Sequence, residues 1–370
     1  MPDRHGVVGG GIVGLALARA LSARGHRVTV FDADREPQGA SIRNFGTLWP
    51  IGQPPGPRLA LAMRSMEIWR DVLNDTGAWS SATGSLHLAY HADEATVLQQ
   101  FAAIANATGF RCEWADADSV RRLSAIVRSE GLVGGLASPH EIQINPRQLM
   151  RLLAAWLAEQ RGVTFERGVR VVDCGDGRIR AGARRWRFDH VWIASGADVE
   201  TLYPEAFAAE GLRRCKLQML RTAPVDLAIG PVHAGGLTLA HYESFAGCAA
   251  LPALKARLAE DWPAQVAFGV HVLLSRHDRG ELVIGDSHEY DDAIAPFDRM
   301  EIDALILDYL RTFVECGDLT IAERWHGIYL KSPKAPYCVL SPEQHVTIVA
   351  ALGGHGMTMS FGLAEQLVRS

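Results

Sequence analysis

The sequence predicts an α/β fold in two domains, and three observations carry that reading. The first is a strand, glycine turn, helix and second strand compressed into GVVGGGIVGLALARALSARGHRVTVFD, Gly6 to Asp32. The second is a pair of later apolar strands that run into small residues, HVWIASGAD from His190 and HVTIVAALGGHGMT from His345. The third is a central stretch of alternating character, AFGVHVLLSRHDRGELVIGDSHEY, that reads as a hairpin turning at Asp278, Arg279 and Gly280.

The elements can be justified in chain order. Gly9, Gly11 and Gly14 make G-x-G-x-x-G, and Ala16, Leu17, Ala20 and Leu21 give the following helix a buried face that Gly25 ends. RVTVF then alternates with β-branched residues and closes on Asp32. Gly9 permits the tight turn, Gly11 lets backbone approach a pyrophosphate, and Gly14 lets helix and strand pack closely. The phosphates would sit on a helix N-terminus and the Asp32 carboxylate would accept the ribose hydroxyls. That acid argues against a 2′-phosphate. Further on, Asn145 and Pro146 read as the cap and first residue of an amphipathic helix, and FDRMEIDALILDYLRTFV reads as a helix covering one side of the central hairpin. NAD and FAD both satisfy the first unit taken alone.

Composition bounds the function. The chain has 370 residues, 48% of them apolar and 21% charged, with a formal net charge of −5. These values exclude disordered and collagen-like classes and offer no basic stripe for nucleic acid. The chain enters its glycine motif at once and contains no run of about 18 apolar residues, so a cytoplasmic protein without membrane insertion is expected. Six scattered cysteines without a C-x-x-C pair encode neither a disulfide framework nor a zinc knuckle, and no metal site is assigned.

The segments GGGIVG with Asp32, the loop GAS at Gly39 to Ser41, the helix start at Asn145, VWIASGA, KLQML at Lys216, WHG at Trp325 and GGHGMT resemble the glycine oxidase, sarcosine oxidase and D-amino-acid oxidase superfamily over essentially the whole chain. The resemblance implies a Rossmann-type FAD-binding domain of the glutathione-reductase kind, joined to a substrate domain of mostly antiparallel β-sheet plus helices. It implies residues 1–80, 141–214 and 325–370 for the first and 81–140 and 215–324 for the second. It also implies buried FAD, held noncovalently because Cys338 is offset from the position where some sarcosine oxidases tether flavin. The cofactor residues it points to are Gly9, Gly11, Ile12, Val13, Gly14, Asp32 and Ala33, then Ala40, Ser41, Arg43, Asn44 and Gly46. Val171, Ser195, Gly196, Trp325, Gly327, Gly353, Gly354, His355, Gly356, Met357 and Thr358 complete the set. Ala40, Ser41, Asn44 and Gly46 are expected to donate backbone and hydroxyl hydrogen bonds to the pyrophosphate and ring. LWPIGQ, following them, either sets Trp49 and Gln53 against the ring or links the domains.

Substrate chemistry is where the chain departs from these relatives. Amino-acid oxidases of the superfamily often carry W-x-G-x-R-P, the arginine forking onto a substrate carboxylate. Here WHGIYLKSPK puts Tyr329 where that arginine would stand, followed by Lys331. SIRNFGTLWPIGQ, HYESF, GDSHEY and GIYLK together are similar to a branch of glycine-oxidase-like enzymes associated with bacterial aminophosphonate breakdown. That similarity implies 2-aminoethylphosphonate or its N-methyl derivative as substrate, and O2 or another electron acceptor as second partner. A phosphonate near its dianionic state requires several charge-assisted donors, and Arg43, His241, Tyr242, His288, Tyr329 and Lys331 are the candidates, with His271 behind them. Two other readings remain open at this point. One is an ordinary glycine, sarcosine or D-amino-acid oxidase or dehydrogenase; the other is a non-catalytic flavoprotein subunit of an amine dehydrogenase.

Overall fold

The computed structural model describes residues 2–369. Its first sheet has six strands in the order Cys338–Glu343, Val346–Ala350, His190–Ile193, Arg4–Val8, Arg27–Asp32, Thr164–Arg167. All neighbours are parallel except the first pair, which forms an antiparallel hairpin. The chain enters this sheet from its start, middle and end, so the parallel strands are recruited from segments far apart in sequence. Helices Ile12–Ser22, Pro57–Thr76, Pro146–Arg161 and Gly356–Arg369 cover one face around Trp69, Leu149 and Phe361. The other face packs Phe31, Val191 and Ile193 against a small antiparallel sheet through Ile179 and Phe188.

Local signals account for these ends. Asn145 caps its helix by accepting hydrogen bonds from the backbone N–H groups of Arg147 and Gln148, with Pro146 in the first turn and Gly162 left-handed at the C-terminus. Trp69 is fully buried, donates through Nε1 to the Met357 carbonyl at 2.8 Å and meets Phe361 edge-on, which fixes the start of the last helix against the second.

The second sheet has nine strands and is antiparallel apart from the pairing of Val232–Ala234 with Ser85–Ala89. Strands Leu273–Arg276 and Leu282–Gly285 form the hairpin expected around Gly280, and helix Met300–Leu310 lies on that sheet. Strand Ile321–Lys331 pairs with Arg213–Thr222 from end to end. The boundary expected at 325 therefore falls inside a strand whose partners belong to the second sheet. Among the described residues no helix is long and apolar enough to cross a membrane.

Candidate active site

A cavity of about 660 Å³ runs from the carboxyl ends of the parallel strands into the second sheet, within the ~300–1,000 Å³ range of small-molecule sites. In an open α/β sheet those strand ends are where ligands collect, because the turns there expose backbone N–H groups and helix N-termini. Val8 to Val13, Phe31 to Asp34, Val171, Ala194 to Asp198 and Ala350 to Met357 line this end.

The glycine turn is held from both sides. Gly9 N–H donates to the Phe31 carbonyl at 2.8 Å, and Gly10 N–H donates to Asp32 Oδ2 at 2.7 Å. The second oxygen of Asp32 accepts from Asp34 N–H. A Cβ at Gly10 would stand 2.5 Å from the Asp32 carboxylate, and one at Gly9 would stand 2.2 Å from the Ala194 carbonyl. The loop after Asp32 closes over this turn: Ser41 Oγ accepts from Ile12 N–H at 2.9 Å. The side chain of Asn44 donates to the Ala40 and Ser41 carbonyls and accepts from Gly46 N–H, so it braces the loop on itself. A dinucleotide fits this cradle: bare backbone where phosphates would lie, a carboxylate at the ribose position and a small-residue roof.

Beyond the cradle the cavity is walled by Arg43, Arg58, His241, Tyr242, Glu243, His271, Asp286, His288, Tyr290, Tyr329, Lys331 and His355. Every residue expected to bind substrate is among them. Arg43 NH1 donates to the His326 carbonyl at 3.3 Å, and Lys331 Nζ lies 5.6 Å from the Tyr290 ring centre. Among the described residues neither cation forms an ion pair with a carboxylate. Burial, reinforced by His271, His288 and Lys331, holds His241 well below the usual imidazole range. Burial likewise lowers His288 and His355 to about 4 and pushes the Tyr242 and Tyr329 hydroxyls up. At neutral pH these three imidazoles are therefore uncharged, and both tyrosines are donors.

Four expected cofactor residues stay outside the cavity wall and shape it from behind. A Cβ at Gly14 would come within 1.9 Å of the Gly9 carbonyl, and one at Gly46, whose φ is +69°, within 2.2 Å of the Ile144 carbonyl. Thr358 Oγ1 accepts from Trp49 N–H, and the Trp325 ring lies under the Arg147 guanidinium. Trp49 itself is in the core, whereas Gln53 is fully buried and meets His355 Nδ1 at 2.7 Å. Arg58 donates to Gln53 Oε1 and pairs with Glu243, which links the cavity wall to the Gly353–His355 turn. Replacing Gln53 with leucine is expected to cost about 1–3 kcal/mol, the penalty of stranding buried polar partners. Denaturant unfolding measures it, and an unchanged midpoint contradicts this role.

Sequence reasoning named Gln53 and His355 singly, but passed over Asp286, Arg58 and Glu243 and the chain that joins the last two to Gln53 and His355. Gln53 and His355 are 302 positions apart and no spacing announces them. Asp286 stood beside the suspected His288 in GDSHEY, but nothing local marks a carboxylate that faces inward. Cys338 is buried and is not part of the cavity wall.

A dinucleotide cradle opening into a second, polar chamber is the arrangement of a dinucleotide-dependent oxidoreductase. The chain belongs to the family described as FAD dependent oxidoreductase (DAO), which it matches over residues 5–370. FAD is the cofactor this membership brings. Among curated proteins it is 28% identical over 220 residues to the "Bifunctional protein ThiO/ThiG" of Nostoc sp., covering 54% of this chain and 31% of that one. It is 29% identical over 173 residues to "4-methylaminobutanoate oxidase (formaldehyde-forming)" of Paenarthrobacter nicotinovorans, covering 45% and 20%. The chain thus spans less than a third of the length of the curated relatives it matches. Among solved structures it resembles the L-proline dehydrogenase of P. horikoshii, at a TM-score of 0.81 and 18% identity, covering all of this chain and 93% of that one. It also resembles the glycine oxidase of Bacillus cereus, at 0.80 and 17%, covering 99% and 93%. Identities this low speak for the shared fold alone.

Proposed function

We propose that this protein oxidises the C–N bond of a small anionic amine, with 2-aminoethylphosphonate or its N-methyl derivative as the substrate that suits the site best. The observation that carries the reading is the chamber wall: Arg43 and Lys331, neither in an ion pair with a carboxylate among the described residues, stand with Tyr242, Tyr329 and four histidines, and Tyr329 occupies the position where the W-x-G-x-R-P motif would supply a carboxylate-binding arginine. A dianion with three acceptor oxygens is matched by several separate donors better than by one planar fork. The names of three similar proteins, a glycine oxidase, an iminodiacetate oxidase and a 4-methylaminobutanoate oxidase, also describe small amines that carry an acidic group.

Bound FAD supplies the acceptor for a hydride from the carbon bearing nitrogen. The protein's part is to hold that carbon in place and to keep water out. Asp32, Ser41 and the glycine turn hold the nucleotide end, while Arg43, Lys331 and the tyrosine hydroxyls anchor the anionic end of the substrate. The imine that results hydrolyses to phosphonoacetaldehyde with ammonia or methylamine, and dioxygen taking up the electrons yields hydrogen peroxide.

Anaerobic mixing with 2-aminoethylphosphonate, its N-methyl derivative, glycine, sarcosine and D-alanine, followed near ~450 nm, tests the reading because bleaching reports reduction of the cofactor itself. Bleaching by the phosphonates is the expected result, and bleaching by the carboxylates alone overturns it. Lys331→Met is expected to keep its FAD and to weaken the phosphonate's apparent affinity on the order of tenfold, the loss of one charge-assisted contact. An unchanged affinity removes Lys331 from the anion site.

A further inference from the structure

The chamber holds more titratable groups than an anion requires. His241, His271 and His288 each bring one ring nitrogen within 4.8 Å of the others, with ring centres 3.9, 4.3 and 5.2 Å apart. Three elements converge to do this: the end of helix Leu237–His241, the residues entering strand Leu273–Arg276, and those leaving strand Leu282–Gly285. His271 and Asp286 exchange both backbone hydrogen bonds, so the ladder of that hairpin continues into the chamber and sets their side chains face to face. Asp286, 3% exposed, has its Oδ1 3.0 Å from His271 Nε2 and 3.6 Å from His288 Nδ1. Among the described residues it has no lysine or arginine partner.

Asp286 Oδ1 is itself buried without a hydrogen-bond partner, so a proton brought onto a ring facing it would compensate a charge that is otherwise costly there. The ring next to it retains capacity, because His271 Nδ1 is buried without a hydrogen-bond partner. The other charged and titratable groups of the chamber are Arg43, Lys331, His355, the Arg58–Glu243 pair and the hydroxyls of Tyr242, Tyr290 and Tyr329. Burial, with Lys331 nearby, keeps His241 and His288 neutral while no anion is bound, and a bound dianion reverses that balance.

An aliphatic amine arrives at neutral pH as an ammonium, whose nitrogen has no lone pair to support loss of hydride from the neighbouring carbon. We propose that the His241–His271–His288 cluster, oriented by Asp286, accepts the proton that the substrate ammonium gives up and retains it beside the substrate's anionic group. The transfer balances: one N–H bond of the ammonium breaks, one N–H bond forms on an imidazole, and no electrons change hands before the hydride step. The same cluster then serves as both base and counter-charge, which selects for amines that carry an anion. This inference rests on the anionic-amine reading.

Two measurements on the FAD-loaded protein test it. In anaerobic stopped flow with 2-aminoethylphosphonate, the wild type should reduce its flavin at undiminished rate well below the pKa of the free ammonium. Asp286→Asn and His288→Gln, each checked for retained flavin absorbance, should move the lower limb of the pH profile up by about one unit or more. Superimposable profiles overturn the proposal, since a purely structural role changes the height of a profile and not its position. Separately, ethylphosphonate, which lacks the amine, should take up about one proton per site on binding at pH 8.5, read with an indicator dye, and that uptake should disappear in both variants. No uptake by the wild type, or a stoichiometric divalent metal in the protein as purified, overturns the cluster as proton acceptor. Absence of bleaching by any phosphonate is a different failure, of the functional reading, and ethylphosphonate uptake still decides the cluster.

Discussion

Gly9→Ala should give a protein that no longer holds FAD and that unfolds several kcal/mol more easily than the parent. Gly9 has φ +106°, a region closed to side chains, and its Cβ would lie 2.2 Å from the backbone carbonyl of Ala194 on the neighbouring strand. Neither partner can yield, because Ala194 N–H donates to the Val8 carbonyl at 2.7 Å and Gly9 N–H donates to Phe31. Relief would have to part the three strands that carry the glycine turn, Asp32 and the Ser195 turn. Gly25→Ala is the matched control: its φ is also positive, at +81°, but its Cβ would meet nothing within 4 Å. That variant should retain yellow FAD and lose about 1 kcal/mol. The ratio of flavin to protein absorbance after gel filtration, with a denaturant titration, measures both. Stoichiometric FAD in Gly9→Ala would refute the geometry of the cradle.

The second large effect is acid lability. Burial lowers His87 and His233 to about 3 and His277 to about 4, and all three are at most 3% exposed. Between pH 6.5 and those values the unfolded chain binds protons that the folded chain refuses. The stability these imidazoles confer is therefore complete above about pH 6.5 and is lost progressively as pH falls toward 3. Each contributes a slope of about 1.4 kcal/mol per pH unit where only the unfolded form is charged, or about 4 kcal/mol per unit for the three near pH 5. Glu141, whose carboxyl burial pushes up, works in the opposite direction and offsets part of one slope. Denaturant unfolding of the FAD-loaded protein at pH 7.5, 6.5 and 5.5 should show stability nearly level across the first interval and steeply lower across the second. His87→Leu should flatten the decline by about one imidazole's share. A stability independent of pH across this range would exclude buried neutral histidines.

Both effects depend on features of unequal legibility. The glycine turn, Asp32 and the Asn145 cap were readable because each is a local demand: a backbone angle, a close approach or an orphan N–H must be met by residues a few positions away. The replacement of the expected arginine by Tyr329 was readable for the same reason, being a change inside one short motif. Nothing local distinguishes His87, which reads as one more residue of an alternating strand and becomes a buried neutral imidazole only because Trp49 and Phe245 close over it. The strand containing Trp325 and Tyr329 has the same character. Its motif looks like part of the nucleotide-binding domain, and its hydrogen bonds to Arg213–Thr222 assign it to the other sheet.

By itself, then, the sequence determined the class of fold, the nucleotide cradle and the chemical kind of residue available to a substrate, since all three follow from short-range periodicity and motif. Only the tertiary structure decided that Asp286 faces His271, that Gln53 holds His355, and that Arg43 and Lys331 look into the same chamber as three clustered histidines. Those contacts are made by sheet register and by the docking of one sheet on the other, where a shift of one residue would turn every side chain of a strand to the opposite face.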